Sequence, residues 1–235
     1  MTNKACYFIS WNIRGMGQRE KKTSARNLVR ANKPQVTFVQ EIKMTKVEDR
    51  TIKFICGNQS DTGSAISPSV GASGGLLSIW NNKFFKLESS MIWNNFIIMQ
   101  GSIRPIKMKY NLVNIYPPNY QGERLSMFNE LTSILHQMRA PMIIGGDFNI
   151  VLSPEEKMGS FNNRSSMKKF SKFIENLNLL DPPVNGGRFT WSNTRERPSA
   201  SRLDRFLILP EILMKWPDDI QAISPKSISD HNQYP

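Results

Sequence analysis

Only 19 of the 235 residues are acidic, and several stand at the ends of apolar runs, where a solvated surface acid has no particular reason to be. Val36-Thr37-Phe38-Val39-Gln40 leads straight into Glu41, and Pro141-Met142-Ile143-Ile144-Gly145-Gly146 delivers Asp147, followed by Phe148 and Asn149. Asp204 lies inside Arg202-Leu203-Asp204-Arg205-Phe206-Leu207. Asn12 closes the first apolar run after Ser10-Trp11, and Ser229-Asp230-His231 stands near the C-terminus. Taken singly, each reads as a turn former or a helix cap. Gathered at one sheet edge, they would form a set of hard oxygen ligands with one imidazole. Such a set suits Mg2+ or Mn2+, which prefer carboxylate, carbonyl and water. Zinc fits poorly, because 2 histidines and 2 cysteines in the whole chain are too few.

The majority charge points the same way. Lys and Arg number 31, so the formal net charge is +12, a surplus that favours a polyanionic partner, most simply nucleic acid. A basic protein with an acidic metal pocket has a natural substrate in a phosphodiester. The length is enough to bury a substantial core without disulfides or structural metal. With 39% hydrophobic and 21% charged residues the composition is that of a folded protein. No apolar run is long enough to span a bilayer and no signal-peptide pattern opens the chain, which argues against membrane insertion and secretion. Cys6 and Cys56 exclude a CxxC zinc site and a disulfide scaffold. They are expected to be buried, reduced thiols of an intracellular protein.

The elements that must position these residues can be read from periodicity. Short runs rich in β-branched and aromatic residues predict strands over 5–12, 35–41, 75–81, 86–93, 96–103, 109–116, 142–147, 188–191, 202–208 and 223–229. The four between residues 75 and 116 have only short turns between them, which predicts antiparallel hairpins. Leu125, Phe128, Leu131, Leu135 and Met138 recur at helical spacing, as do Met167, Phe170, Ile174 and Leu177. Ser165 and Ser166 are candidate caps for the second helix. A weaker helix around Ala25, Leu28 and Val29 stops before Pro34. No repeat or linker divides the chain, so a single domain over 1–235 is expected. There is no GxGxxG or GxxxxGK[ST] motif for nucleotide binding.

Taken in order, Trp11-Asn12-Ile13-Arg14-Gly15, Gln40-Glu41, Asn114-Ile115-Tyr116-Pro117-Pro118-Asn119, Gly146-Asp147-Phe148-Asn149, Phe189-Thr190-Trp191, Arg202-Leu203-Asp204-Arg205 and Ser229-Asp230-His231 resemble the motifs of the endonuclease/exonuclease/phosphatase superfamily. Gly74-Gly75-Leu76-Leu77-Ser78-Ile79-Trp80, Phe189-Thr190-Trp191-Ser192-Asn193 and Arg202-Leu203-Asp204-Arg205 carry a narrower likeness, to endonuclease domains of LINE-type (non-LTR) retrotransposons, particularly those of plants. The resemblance implies an α/β (α+β) fold, with two packed, mainly antiparallel mixed sheets flanked by helices in a DNase I-like four-layer sandwich. It also implies a Mg2+-dependent DNA endonuclease (Mn2+ as a substitute) that nicks one strand and leaves a 3′-hydroxyl. Glu41 would be the principal metal ligand, helped by Asn12 and Asp230. Asp147 would deprotonate the attacking water, with Asn149 and Tyr116 on the phosphate. His231 would donate to a non-bridging oxygen, with Asp204 fixing its tautomer. Thr190 and Arg14 would contact the substrate strand. The cluster Arg19, Lys21 and Lys22, close after Asn12, is a candidate phosphate-contact loop. The aromatics Trp80, Trp93, Trp191 and Trp216 are expected to pack, and His136 is not expected to ligate.

Two departures qualify the resemblance. Abasic-site repair members usually carry an acid two residues after the motif asparagine, where this chain has Arg14, which moves the expectation away from dedicated abasic-site repair. The chain also stops at Pro235, soon after His231, whereas the family usually adds a final apolar strand there. The expectation is therefore an excised domain or a truncated product lacking its final strand. Alternative readings are a catalytically inactive nucleic-acid-binding remnant, or a phosphodiesterase acting on a non-nucleic-acid phosphate ester. The expected protein is a monomer of the nucleus or cytoplasm with DNA as partner, no membrane and no organic cofactor. A reverse transcriptase domain belongs only to a full-length element.

Overall fold

The structure, a computed structural model, describes residues 6–57, 61–71, 73–159, 164–193, 198–216, 221–223, 229 and 231. The predicted strand over 223–229 lies largely outside them, as does Asp230.

Two sheets make the body of the fold. The first has the order β1 (Phe8–Asn12), β2 (Val36–Gln40), β4 (Leu76–Asn81), β3 (Thr62–Ser67). The second has the order β13 (Asp204–Ile208), β8 (Met142–Asp147), β7 (Met108–Ile115), β6 (Phe96–Ile103), β5 (Phe85–Ile92). Short strands β9 (Lys157–Met158), β11 (Trp191–Ser192) and β12 (Ala200–Ser201) form a small antiparallel ribbon, and β10 (Val184–Asn185) pairs with β14 (Gln221–Ala222). Helices α1 (Arg19–Asn32) and α2 (Asp49–Cys56) cover the first sheet. Helices α3 (Gln121–Leu135) and α4 (Arg164–Asn176) cover the second, and α5 (Pro210–Lys215) closes one side of the middle layer. This is the expected mixed α/β sandwich with helices outside and two sheets within.

Three cores follow from the period-2 alternation of the strands. Val36 and Phe38 of β2, Leu112 of β7, Ile143 of β8 and Phe206 of β13 point between the sheets. Their neighbours Ile9, Trp11, Val39 and Ile79 face α1 and α2, while Val113, Ile115, Ile144 and Leu207 face α3 and α4. Burial on both faces explains why these strands read as continuous apolar runs. The same alternation sends Asn12, Asp147 and Asp204 inward. Parallel pairing aligns Asn12 with Gln40 and Ile115 with Gly146, and antiparallel pairing sets Asp204 opposite Asp147. The acids of the sequence are thereby brought to one edge.

The sheets approach closely where β8 carries no side chains. A Cβ on Gly145 would lie 2.3 Å from the Phe206 ring and 2.8 Å from Phe38, and one on Gly146 would lie 2.0 Å from the Ile115 carbonyl oxygen. A fully buried polar layer joins the sheets here. Gln40 donates to Ser10 Oγ (3.1 Å) and to Asn114 Oδ1 (2.8 Å), and Asn114 donates to Ser78 Oγ (3.1 Å) and to the Leu77 carbonyl (3.2 Å).

Several expectations are corrected. The run from 75 to 116 is not one antiparallel meander: β4 pairs with β2 and β3, and only β5, β6 and β7 form hairpins. The chain crosses between sheets after β4 because Trp80 and Phe85 pack edge to face across the middle layer, ring centroids 6.2 Å apart. Strand β3 was not predicted; Thr-Gly-Ser-Ala-Ile-Ser lacks an apolar run, and Gly63 is there to pass under the Trp80 ring. Ser165 and Ser166 lie inside α4 rather than capping it. Cys56 is buried but Cys6 is exposed. Among the described residues, no helix is long and apolar enough to cross a membrane. Replacing Gly146 with Ala should destabilise the fold by about 2–3 kcal/mol or more, since the new methyl meets backbone that cannot rotate away. A urea-unfolding midpoint unchanged from wild type would contradict this packing.

Candidate active site

The strand ends meet in one polar cluster. Asn12, at the end of β1, donates its amide to Asp147 Oδ2 at 2.8 Å. Asp147 Oδ1 accepts the Asn149 backbone N–H at 2.9 Å. His231 lies with Nε2 3.6 Å from Asp147 Oδ2 and Nδ1 2.9 Å from Asp204 Oδ2. All of these side chains except Asn149 are buried, Asp147 and His231 at 1% and Asp204 at 0% exposure. The segment holding His231 is docked by Ser229, whose hydroxyl donates to the Asn12 carbonyl (2.8 Å) and accepts the His231 N–H (3.2 Å). A backbone bridge to Trp191 fixes His231 from the other side.

Burial pushes the Asp147 carboxyl up to about 6; the Asp204 charge adds to this, while His231, the Asn12 amide and the Asn149 N–H oppose it. Burial likewise raises the Tyr116 phenol, and the charges of Asp147 and Glu41 push it further. Tyr116 therefore stays a neutral donor, in hydrogen-bond contact with Asn149 and Glu41. Asn149 donates its amide to the Pro117 carbonyl at 2.8 Å, so the loops after β7 and β8 are tied together. Buried Arg124 of α3 reinforces that tie by donating to the carbonyls of Asn149 and Asn119.

Glu41 stands at the rim, 8% exposed. Its oxygens lie 2.9 Å from Lys43 Nζ and 3.8 Å from Arg14 Nε. Four of the seven non-glycine residues with left-handed backbone among those described, Arg14, Glu41, Lys43 and Asn149, belong to this neighbourhood. Concentrated strain of that kind is held in place by surrounding structure and clusters at functional sites. Among the described residues, two groupings could hold a cation. Asp147, Asp204 and His231 offer ligand atoms within 4.8 Å of one another, but the His231 ring already lies between the two carboxylates. Glu41 is less buried, its two oxygens are neutralised only by flexible basic side chains, and the Asn12 side-chain oxygen accepts the Arg14 N–H nearby. A carboxylate and a carboxamide oxygen with room for water match the donor set that Mg2+ takes, so the residues fit the ion at Glu41 and Asn12.

The remaining expected residues are placed as follows. Thr190 is fully buried: its hydroxyl accepts the N–H groups of Leu203 (2.9 Å) and Asp204 (3.0 Å) and faces the Ser201 carbonyl. It supports the strand carrying Asp204, and the expected substrate contact is not available to a hydroxyl so engaged. Arg14 leans on Glu41. Arg19 is exposed at the start of α1, Lys21 donates to the Ile13 carbonyl at 2.8 Å, and Lys22 is half-buried. His136 is exposed at the end of α3, away from the site.

A second supporting group lies behind Asp204. On β13, Arg205 alternates to the opposite face and is wholly buried, bonded to Asp181 (2.6 Å) and Glu156 (2.8 Å). Arg202 bridges the same two acids at 2.7 and 3.2 Å, and Gln221 donates to Asp181 at 2.8 Å. Sequence reasoning missed this cluster, as it missed the polar layer of Ser10, Gln40, Ser78 and Asn114. For the polar layer the available signal was a polar residue at an inward position of an apolar strand.

The two packed sheets thus bring Asn12, Glu41, Asp147, Asn149, Asp204 and His231 to one edge. The chain belongs to the endonuclease/exonuclease/phosphatase family, which it matches over residues 9–231. It is 28% identical over 137 residues to a transposon TX1 uncharacterized 149 kDa protein of Xenopus laevis, covering 55% of this chain and only 10% of that protein. In fold it is similar to an AP endonuclease of Leishmania major, with TM-score 0.78 and 16% identity over 97% of this chain and 86% of the other. It is also similar to the endonuclease domain of TRAS1, a telomere-specific non-LTR retrotransposon, with TM-score 0.68 and 16% identity over 98% and 96%.

Two outcomes follow from the geometry. Thr190→Val should cost about 2–4 kcal/mol, because two buried N–H groups lose their acceptor, whereas Thr190→Ser should keep most of the stability; equal losses would show that the hydroxyl is idle. Raising the Asp147 pKa from 3.8 to about 6 means that folding favours the protonated acid. That contribution is whole below the unfolded value and is lost as pH rises through about 6. The melting temperature of Asp147→Asn minus that of wild type should therefore move in the variant's favour between about pH 4 and pH 7. A difference constant across that range would refute the shift.

Proposed function

We propose that the chain is a Mg2+-dependent DNA endonuclease of the LINE-type retrotransposon kind, cutting one strand by water attack and leaving a 3′-hydroxyl. The observation that carries this reading is the buried Asn12–Asp147 pair with His231 beside it and Asp204 behind it. The similarity to a transposon protein and to a retrotransposon endonuclease domain supports DNA as the substrate.

Glu41 and Asn12, with Asp230 as a further expected ligand, would hold Mg2+, which would supply positive charge to the phosphate and to the leaving oxygen. Asp147 takes a proton from the attacking water. Its raised pKa makes it a stronger base than an ordinary aspartate while leaving it ionised at neutral pH. Asn12 and the Asn149 N–H hold its carboxylate in one orientation. Asp204 accepts the Nδ1–H of His231, so the doubly protonated ring is the form whose Nε2–H is donated to a non-bridging oxygen as charge builds. Tyr116, kept neutral, is a second donor to the phosphate. Asn149, held beside Tyr116 and tied to the Pro117 carbonyl, is a further contact to the phosphate. Arg14 takes the place where abasic-site repair members carry an acid, which favours undamaged duplex as substrate.

The test is conversion of supercoiled plasmid to open circle with Mg2+, before and after chelation, followed by polymerase extension of the nick without prior phosphatase treatment. Glu41→Ala, Asp147→Ala and His231→Ala should each lower the nicking rate by about 10²–10⁴-fold. Undiminished nicking in all three variants would remove the proposed centre. Nicking confined to duplex with an abasic site would overturn the substrate assignment.

A further inference from the structure

The surplus of positive charge is not spread evenly. On α4, Arg164, Lys168, Lys169 and Lys172 occur within nine residues of sequence. At 100° per residue they fall, with Ser165, within an arc of roughly 140°, opposite the buried Ser166, Phe170 and Phe173. Those five residues line an open hollow of about 540 Å³. Among the described residues, none of the four cations is ion-paired, whereas Arg14, Lys43, Arg50, Lys109, Arg202 and Arg205 each face a carboxylate. The acid on this face, Glu175, sits beyond Lys172 and accepts the Ser171 hydroxyl at 2.8 Å.

The direction of the helix gives this face a place relative to the site. Just past α4, Leu180 exchanges backbone hydrogen bonds with Ile208 (2.7 and 3.0 Å). Ile208 is the end of β13 away from Asp204. Helix α4 therefore runs from the site end of the sheet toward the far end, with Arg164 nearest the site. Arg164, Lys168 and Lys172 then form a row about 12 Å long leading away from the catalytic edge. Long flexible cations on a helix, with no aromatic or amide group among them to read a base, bind phosphates without sequence preference.

Resting on the endonuclease reading above, we propose that this face of α4 is a second DNA-backbone surface, outside the catalytic edge, which holds duplex flanking the cut. Each phosphate neutralised there releases counterions and steepens the salt dependence of binding.

The test compares wild type with two variants that each remove four charges, so that both fall from +12 to +8. One is R164Q/K168Q/K169Q/K172Q. The other, K53Q/K83Q/K86Q/R104Q, removes exposed cations from α2 and from the far end of the second sheet. Dissociation constants are measured against NaCl concentration for a duplex of about 12 base pairs and one of about 40. For the long duplex, the α4 variant should lose about 2–4 from the log–log salt slope, at about 0.9 per lost phosphate contact, and bind tenfold or more weakly. Its binding and nicking of the short duplex should stay within about twofold of wild type, and the other variant should keep a near-wild-type slope. Equal effects in the two variants would reduce the face to net charge and overturn the proposal. So would an unchanged slope, or a loss seen only with single-stranded RNA. If wild-type protein binds neither duplex at low salt, the endonuclease reading itself fails.

Discussion

One hydrogen bond, from the Asn12 amide to the Asp147 carboxylate at 2.8 Å, joins the end of the first sheet to the end of the second. Gly145 carries no side chain where the Phe206 and Phe38 rings fill the space between the sheets, and Gln40 and Asn114 replace apolar packing with directional bonds beneath. A buried polar layer of this kind stabilises only when its members are paired, so it ties the register of one sheet to that of the other. The chemistry at the edge inherits that register. If β8 or β1 slipped by one residue within its own sheet, Asp147 would turn toward the helices or Asn12 would face the wrong layer.

The supporting structure differs around the two acids. Asp147 is held by short local bonds, from its own loop and from Asn12. Asp204 is held through its backbone by Thr190 and, on the other face of the same strand, by Arg205 anchored to Asp181 and Glu156. Burial alone would raise Glu156, yet Arg205 keeps its carboxyl below the usual range. A cluster in which both acids face both arginines costs desolvation but resists any single displacement, since breaking one partner strands the others. It fits a strand whose task is to present one carboxylate to a histidine without drift.

Much of this was legible beforehand, for a physical reason. Asn12, Glu41, Asp147 and Asp204 stand at the ends or on the inward faces of strands whose apolar runs are easy to see, and β-register carries them to one edge. What was hidden has a different cause in each case. Strand β3 is stabilised by pairing with β4 and by Gly63 beneath Trp80, neither of which leaves an apolar pattern. The crossing from β4 to β5 depends on Trp80 meeting Phe85, a contact between residues that look alike as core. Thr190 reads as an ordinary strand threonine because its function is to accept two backbone N–H groups that exist only in the folded turn. Arg205 reads as a surface base because its two acidic partners are 24 and 49 positions away.

The docking of Ser229 on Asn12, across 217 positions of sequence, has a consequence for synthesis. During synthesis Asn12, Glu41 and Asp147 all emerge before His231 does. The polar edge closes only when the segment carrying Ser229 and His231 returns to β1, so until that return Asp147 and Asp204 stand without the ring that lies between them.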